Sequence, residues 1–211
     1  VQSDEPTIPE SIDEALLRAG FADGPESAAL IRSSLTSDLP RLRVLALRAA
    51  ARRALLEDDD WASALGDVDA EVRRDAVNLV AYEEGTGSAV TARIIPLLDD
   101  EDPLVVDGAA FALGEKMCVE AVERLCDVAQ HHDDARCREA AVAALGVIGD
   151  ERGRAAVLGA LDDKPPVRRR AIVALANFEG PDIDAALEKA SLDRDWQVRA
   201  AAGQLVREND D

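Results

Sequence analysis

One phrase recurs six times along this chain, at intervals of 30 to 33 residues: an apolar anchor, usually followed by Arg, then small residues at helical spacing. It reads Leu42-Arg43…Ala46…Ala49, Val72-Arg73…Ala76…Leu79 and Val105-Val106…Ala109…Ala112, then Cys137-Arg138…Ala141…Ala144, Val167-Arg168…Ala171…Ala174 and Val198-Arg199…Ala202…Leu205. A fixed period of this length means that one supersecondary unit is copied and that each copy buries its apolar face on its neighbours. A single conventional core is not required.

The unit has to be helical. Apolar residues make up 47% of the chain but aromatics only 3%, so the interior is built from Ala, Leu, Val and Ile. Alanine costs least of all residues to place in a helix and lets neighbouring helices approach closely.

Each repeat reads as two helices. The second opens on an acidic residue (Asp38, Asp69, Asp102, Asp134, Asp163, Asp195), expected to accept from free N–H groups at the helix start. Pro40, Pro103, Pro165 and Pro166 follow early, where a missing donor costs nothing. First helices are expected near 25–36, 59–66, 88–99, 118–131, 151–161 and 182–191. These give repeats at about 25–57, 58–86, 87–116, 117–149, 150–180 and 181–208, within one solenoid over 9–208. Residues 1–8 read as a flexible lead. A helix at 9–19, with Ile12, Leu16 and Leu17 on one side, is expected to cap the first repeat, and the polar end Arg207–Asp211 the last.

The run Arg138-Glu139-Ala140-Ala141-Val142-Ala143-Ala144-Leu145-Gly146-Val147-Ile148-Gly149-Asp150 resembles the short HEAT-like repeat first noted in phycobilisome lyases, and the likeness extends over nearly the whole chain from residue 25. The resemblance implies an all-α, right-handed solenoid of about six helix pairs, with the second helices lining its concave side. It also implies that the recurrent Arg (43, 73, 138, 168, 199) pairs with acidic residues as a structural ladder, for which a planar guanidinium is suited. Val106 breaks that row, and Asp107 follows it. A HEAT-like scaffold hosts many functions, so the resemblance says little about activity.

A net charge of −19 repels nucleic acid and anionic membranes, and no stretch approaches the length of a membrane span. Of the 24 basic residues only Lys116, Lys164 and Lys189 are lysine. An acidic, Arg-rich balance fits first an adaptation to salt or a genomic bias, and second a surface made for a basic partner. Three cysteines, an odd number without a disulfide framework, and a polar start without a signal core place the chain in the cytoplasm by expectation.

Function therefore has to be sought on the exposed side of the second helices. Counting the anchor as zero, positions 4, 7, 8 and 11 share its face and should be core, whereas 2 and 6 point away. Positions 2 and 6 differ from copy to copy, as a partner-reading face would. The candidate partner-binding residues are Arg48, Arg74, Asn78, Asp107, Phe111, Glu139, Arg169 and Val173, with Phe111, Arg74 and Arg169 the expected anchors. The bland alternative is that these positions are solvated or pack between helices.

Catalytic and metal chemistry find little footing. Cys118, Cys126, His131, His132 and Cys137 lack the tight spacing of a zinc site and read as small buried groups and a helix end. Two histidines in all cannot assemble the paired His-Glu di-iron site of HEAT-like hydroxylases, and Gly85-Thr86-Gly87-Ser88 has no lysine after it to make a phosphate loop. Trp196 stands where other repeats carry Pro and is expected to shield the terminal core. The sequence thus predicts a non-catalytic protein-binding scaffold without cofactor. The alternative is an accessory, chaperone-like subunit for cofactor attachment or enzyme maturation. Neither the partner nor the oligomeric state follows from it.

Overall fold

The computed structural model describes residues 11–83 and 85–209, the last four by backbone alone. Among them are thirteen α-helices and no strand. A single helix, α1 (Ile12–Ala19), is followed by six pairs. These are α2 (Pro25–Ser34) with α3 (Pro40–Arg52), α4 (Asp58–Leu65) with α5 (Ala70–Tyr82), and α6 (Ser88–Ala92) with α7 (Pro103–Glu115). Next come α8 (Val122–His131) with α9 (Ala135–Ile148), α10 (Arg154–Gly159) with α11 (Pro165–Leu175), and α12 (Pro181–Ala190) with α13 (Trp196–Asn209). Several first helices are eked out by 3₁₀ turns at 95–99, 119–121, 151–153 and 160–162. The chain is an all-helical repeat protein of the solenoid class, as its repeat period requires.

The acidic caps hold in four of six copies. Asp69 accepts from the Glu71 N–H at 2.9 Å, Asp102 from Leu104 at 2.8 Å, Asp134 from Arg136 at 2.9 Å and Asp195 from Gln197 at 2.9 Å. The exceptions are Asp38 and Asp163, because α3 is entered through Leu39 and α11 through Lys164. The cause is proline: a residue preceding Pro is driven into extended backbone, so it becomes the cap wherever Pro40 or Pro165 opens the helix. Asp102 meets both conditions, since it directly precedes Pro103.

Two compact units divide the chain at Leu79/Val80, inside α5. In the first, Leu16, Ala19, Ile31, Leu42, Ala46, Ala49 and Ala50 form one cluster, and Trp61 is buried. The helix α1 packs on α3, but only its Leu16 and Ala19 are inside; Ile12 and Leu17 are about half exposed, against expectation. With 3.6 residues per turn, an eight-residue helix lying against α2 and α3 buries a narrow stripe, and both lie outside it.

In the second unit α7 packs against α9, α9 against α11 and α11 against α13. Glycine sets how closely. A Cβ on Gly114 would lie 3.0 Å from the Ala144 Cα, and one on Gly146 would lie 2.6 Å from the Ala174 Cα. Both glycines stand nine residues after their anchors and both alanines seven after theirs, so the small-on-small contact is itself repeated. At the carboxyl end Trp196 is 66% exposed and shields nothing. It is the first residue of α13, two before the buried anchor Val198. The side chains of Arg207–Asp211, like residues 1–8, lie outside the described residues.

The core register is rotated from the one expected. Position 5 is buried in five copies (Leu47, Val77, Ala110, Val142, Ile172). Among the described side chains position 11 is buried as Ile148 and Phe178 and not as Arg53, Glu83 or Lys116, which fall at or beyond the ends of shorter helices. At 100° per residue, the expected set centres about 25° from the anchor and the buried set about 50°, so the exposed face turns by about 25°.

Candidate binding face

Charge is used in two ways on these helices. Along the edge where each second helix begins, the recurrent Arg reaches forward to the next repeat. Arg43 donates Nε and Nη2 to Asp67 at 2.7 and 2.6 Å, Arg138 to Asp163 at 2.6 and 2.7 Å, and Arg168 to Asp193 at 2.9 and 2.8 Å. Each also donates Nη1 to a carbonyl of its own turn: Ser37, His132 and Asp163 respectively. These are forked, mostly buried pairs, with Arg168 only 5% exposed in its side chain. Their Arg partners hold Asp163 and Asp193 below the usual carboxylate range. Arg43, Arg138 and Arg168 are thus rungs of the expected ladder, and Arg73 and Arg199 donate Nη1 to the carbonyls of Asp67 and Asp193 in the same manner.

The break at Val106 is matched on the other side. The residue two before the cap is Asp67, Asp100 and Asp193 in three repeats, and in each its carboxylate accepts the N–H of the capping Asp. In the fourth repeat that place is His132, whose Nδ1 takes the same N–H, from Asp134 at 3.1 Å. Arg and its acidic partner are therefore exchanged together, for buried Val106 and for an imidazole that keeps the local turn.

Opposite the core the second unit carries an open groove of about 460 Å³. One wall is α7, with Asp107, Phe111 and Glu115 at four-residue steps along one face; the floor and other wall are α9, with Ala140, Ala143 and Val147. Arg136 and Glu139 of α9 and Arg170 of α11 rim it. Two of these cations are occupied: Arg136 meets Asp134 at 2.8 Å, and Arg170 meets Glu139 at 3.5 Å. Phe111 is 38% exposed, and the Tyr82 ring leans on it, centroids 5.8 Å apart and tilted by 52°. This offset geometry is a favourable aromatic one.

Asp107 is the odd group. Half-buried, it makes no hydrogen bond or close ion pair among the described residues. Burial pushes its pKa up, Arg136 opposes this, and Glu139 and Asp134 add to it. Such a carboxylate is desolvated without return inside the protein alone.

Of the expected site residues, the structure brings Asp107, Phe111 and Glu139 together in the groove. Arg169 and Val173 stay on α11 outside its lining; Arg169 donates to Gln197 at 3.0 Å, and Val173 is half exposed. Arg48, Arg74 and Asn78 belong to the first unit, where Arg48 grips buried Asp75 at 2.5–3.0 Å. Sequence reasoning missed Arg136, Glu115, Val147 and Arg170, at positions −1, 10, 10 and 3. The signal was available: the apolar residues at position 5 turn the core, and with it the outer face, toward these positions.

The cysteine and histidine group does not converge. The Cys118, Cys126 and Cys137 thiols point to Glu120, the Arg152 carbonyl and the Pro103 carbonyl respectively. Burial pushes Cys137 up to about 11 and also raises Cys118 and Cys126. Among the described residues no three His, Cys, Asp or Glu side chains are placed to hold a metal ion, and no helix is long and apolar enough to cross a membrane.

A family model described as HEAT repeats matches residues 59–146 and 122–207. The chain belongs to the HEAT-repeat family. Solved structures of similar fold include an engineered protein with 21% identity, covering 84% of this chain and 94% of that one at a TM-score of 0.63. A designed armadillo repeat protein in complex with the peptide (KR)4 is 17% identical, covering 94% and 99% at 0.58. The complex of CpcE and CpcF of phycocyanin lyase from Nostoc sp. PCC7120 is 20% identical, covering 96% and 79% at 0.60. No curated protein matches the chain by sequence. HEAT and armadillo solenoids thus share this fold.

Proposed function

We propose that this chain is a non-catalytic scaffold that holds a protein partner against the outer face of its second helices, with the groove between α7 and α9 as the seat. One observation carries the reading. An open, alanine-floored channel has an aromatic side chain at its mouth and fixed charges of both signs on its rim, the composition of an interface centre with a polar border. Glu139 sets the rim, Phe111 is the anchor, and Arg169 and Val173 continue the face on α11. Arg48, Arg74 and Asn78 present the same register in the first unit. The neighbours support the class of function: a designed armadillo protein holds a peptide, and CpcE and CpcF form a complex with each other.

The test is selection of a random peptide library displayed on phage against wild type and against Phe111→Ala. Both must first show equal helicity and equal melting temperature. Sequences enriched on wild type and lost on the variant support the reading. Equal enrichment on both moves the working surface elsewhere. No enrichment, together with a chromophore that co-purifies with the protein, favours a role in cofactor attachment instead.

A further inference from the structure

We infer that the groove takes an extended segment of a basic protein, running along α7 and placing two cationic side chains against Asp107 and Glu115 with an apolar one on Phe111 between them. The inference rests on the proposed scaffold function and names the chemistry of its partner.

Direction comes from the lining. The groove is lined by residues from 107 to 115 on α7 and from 136 to 147 on α9, but by Arg170 alone on α11. It runs along the helices rather than across them. Spacing gives the pattern. Four residues of helix advance about 6 Å, so Asp107, Phe111 and Glu115 mark steps of about 6 Å. An extended strand advances about 6.6–6.8 Å every two residues and points those alternate side chains the same way. A segment reading basic–x–apolar–x–basic therefore meets the three in register.

Charge fixes the sign. Both rim cations already have carboxylate partners, Asp134 for Arg136 and Glu139 for Arg170. The α7 wall has no cation, and Asp107 and Glu115 carry no hydrogen bond or close ion pair among the described residues. An arriving guanidinium or ammonium gives Asp107 the partner it lacks, and burial under a bound segment strengthens that contact. An acidic segment would have to displace existing pairs to reach Arg136 or Arg170. Glu139 and Asp134 stand near Asp107 as well, and the Arg136 charge that opposes them is already paired with Asp134. The overall charge of −19 adds long-range attraction to the local one.

The test uses the full chain and fluorescence anisotropy at 150 mM salt with labelled peptides whose core is Arg-Ser-Leu-Ser-Arg. The comparison peptides are Glu-Ser-Leu-Ser-Glu and Arg-Ser-Ser-Ser-Arg. Variants are Asp107→Asn, Glu115→Gln and Phe111→Ala, with Asp184→Asn on α12 as an equal change of charge outside the groove. Expected are saturable binding of the first peptide only, at least about tenfold weaker binding for Asp107→Asn and Phe111→Ala, a smaller loss for Glu115→Gln, and none for Asp184→Asn. Equal weakening by Asp184→Asn would reduce the effect to net charge and overturn the inference. Preference for the acidic peptide, or no binding of any, also overturns it. Loss with Phe111→Ala but not with Asp107→Asn or Glu115→Gln rejects the basic partner while leaving the groove as a seat. No change with any groove variant rejects the seat as well.

Discussion

Asp163 and Asp107 differ in what the fold gives them, although both are partly buried carboxylates on the second unit and both feel the charge of an α9 arginine. Arg138 grips Asp163 with two nitrogens at 2.6 and 2.7 Å and holds its pKa low. Asp107 receives no such contact, and burial drives its pKa the other way. The first carboxylate belongs to a device repeated along the chain; the second occurs where that device is missing, next to Val106. Repetition with full pairing marks architecture. A desolvated charge without a hydrogen bond, at a position that varies between copies, fits the surface we propose for a partner.

The largest expected effect comes from breaking the paired side. Arg138→Met leaves the Asp163 carboxylate with the Lys164 N–H but without its cation, and urea unfolding should report a loss of about 3 kcal/mol, the lower end for one partner removed from a buried pair. A loss below about 1 kcal/mol would reduce the rung to a surface ion pair.

Close packing gives the next effect, because the rung and the groove are both held in place by the approach of α9 to its neighbours. Gly146→Ala forces a Cβ to within 2.6 Å of the Ala174 Cα. Overpacking of about 1–3 kcal/mol, less about 1 kcal/mol of helix propensity, predicts a net loss of up to about 2 kcal/mol in the same assay.

The missing rung can be installed. Val106→Arg alone buries an unpaired cation and should destabilise. With His132→Asp the fork has its carboxylate, and a double-mutant cycle should return a favourable coupling of about 1–3 kcal/mol. Zero coupling would mean that Val106 and His132 are not the exchanged halves of one rung.

Much of this was legible in the sequence. The 30–33-residue period, the small residues and the Asp-Pro starts are local signals, and they place the helix pairs to within a few residues. The Arg ladder was legible through resemblance. The caps at Leu39 and Lys164 were not, since the rule for a residue preceding proline overrode the acidic pattern. Phe111, Asp107 and Glu139 were expected on the outer face, and they line the groove, because positions 2 and 6 face outward under any nearby choice of core centre. Arg136, Glu115, Val147 and Arg170 were missed through the rotation of that centre by position 5. The lack of a partner for Asp107 depends on what α9 and α11 bring near it, and no spacing along α7 encodes that.

A smaller effect separates the two carboxylates by pH. Asp163 is lowered in the folded state, so its stabilisation is complete above the unfolded value of about 3.9 and is lost as pH falls through its folded value. Asp107 is raised, so its ionised form costs stability near neutrality, and that cost is relieved as pH falls through a folded value above the unfolded one. The stability gap between wild type and an Asp107→Asn variant should therefore close at a higher pH than the gap for Asp163→Asn.

The most direct measurement is urea unfolding of Asp107→Asn and Asp163→Asn side by side at pH 7. The same atom is changed in each, in the same unit. Opposite signs are predicted: Asp163→Asn loses stability, while Asp107→Asn holds or gains it. Equal losses would mean that Asp107 serves the fold as Asp163 does, and that the groove holds no carboxylate in reserve for a partner.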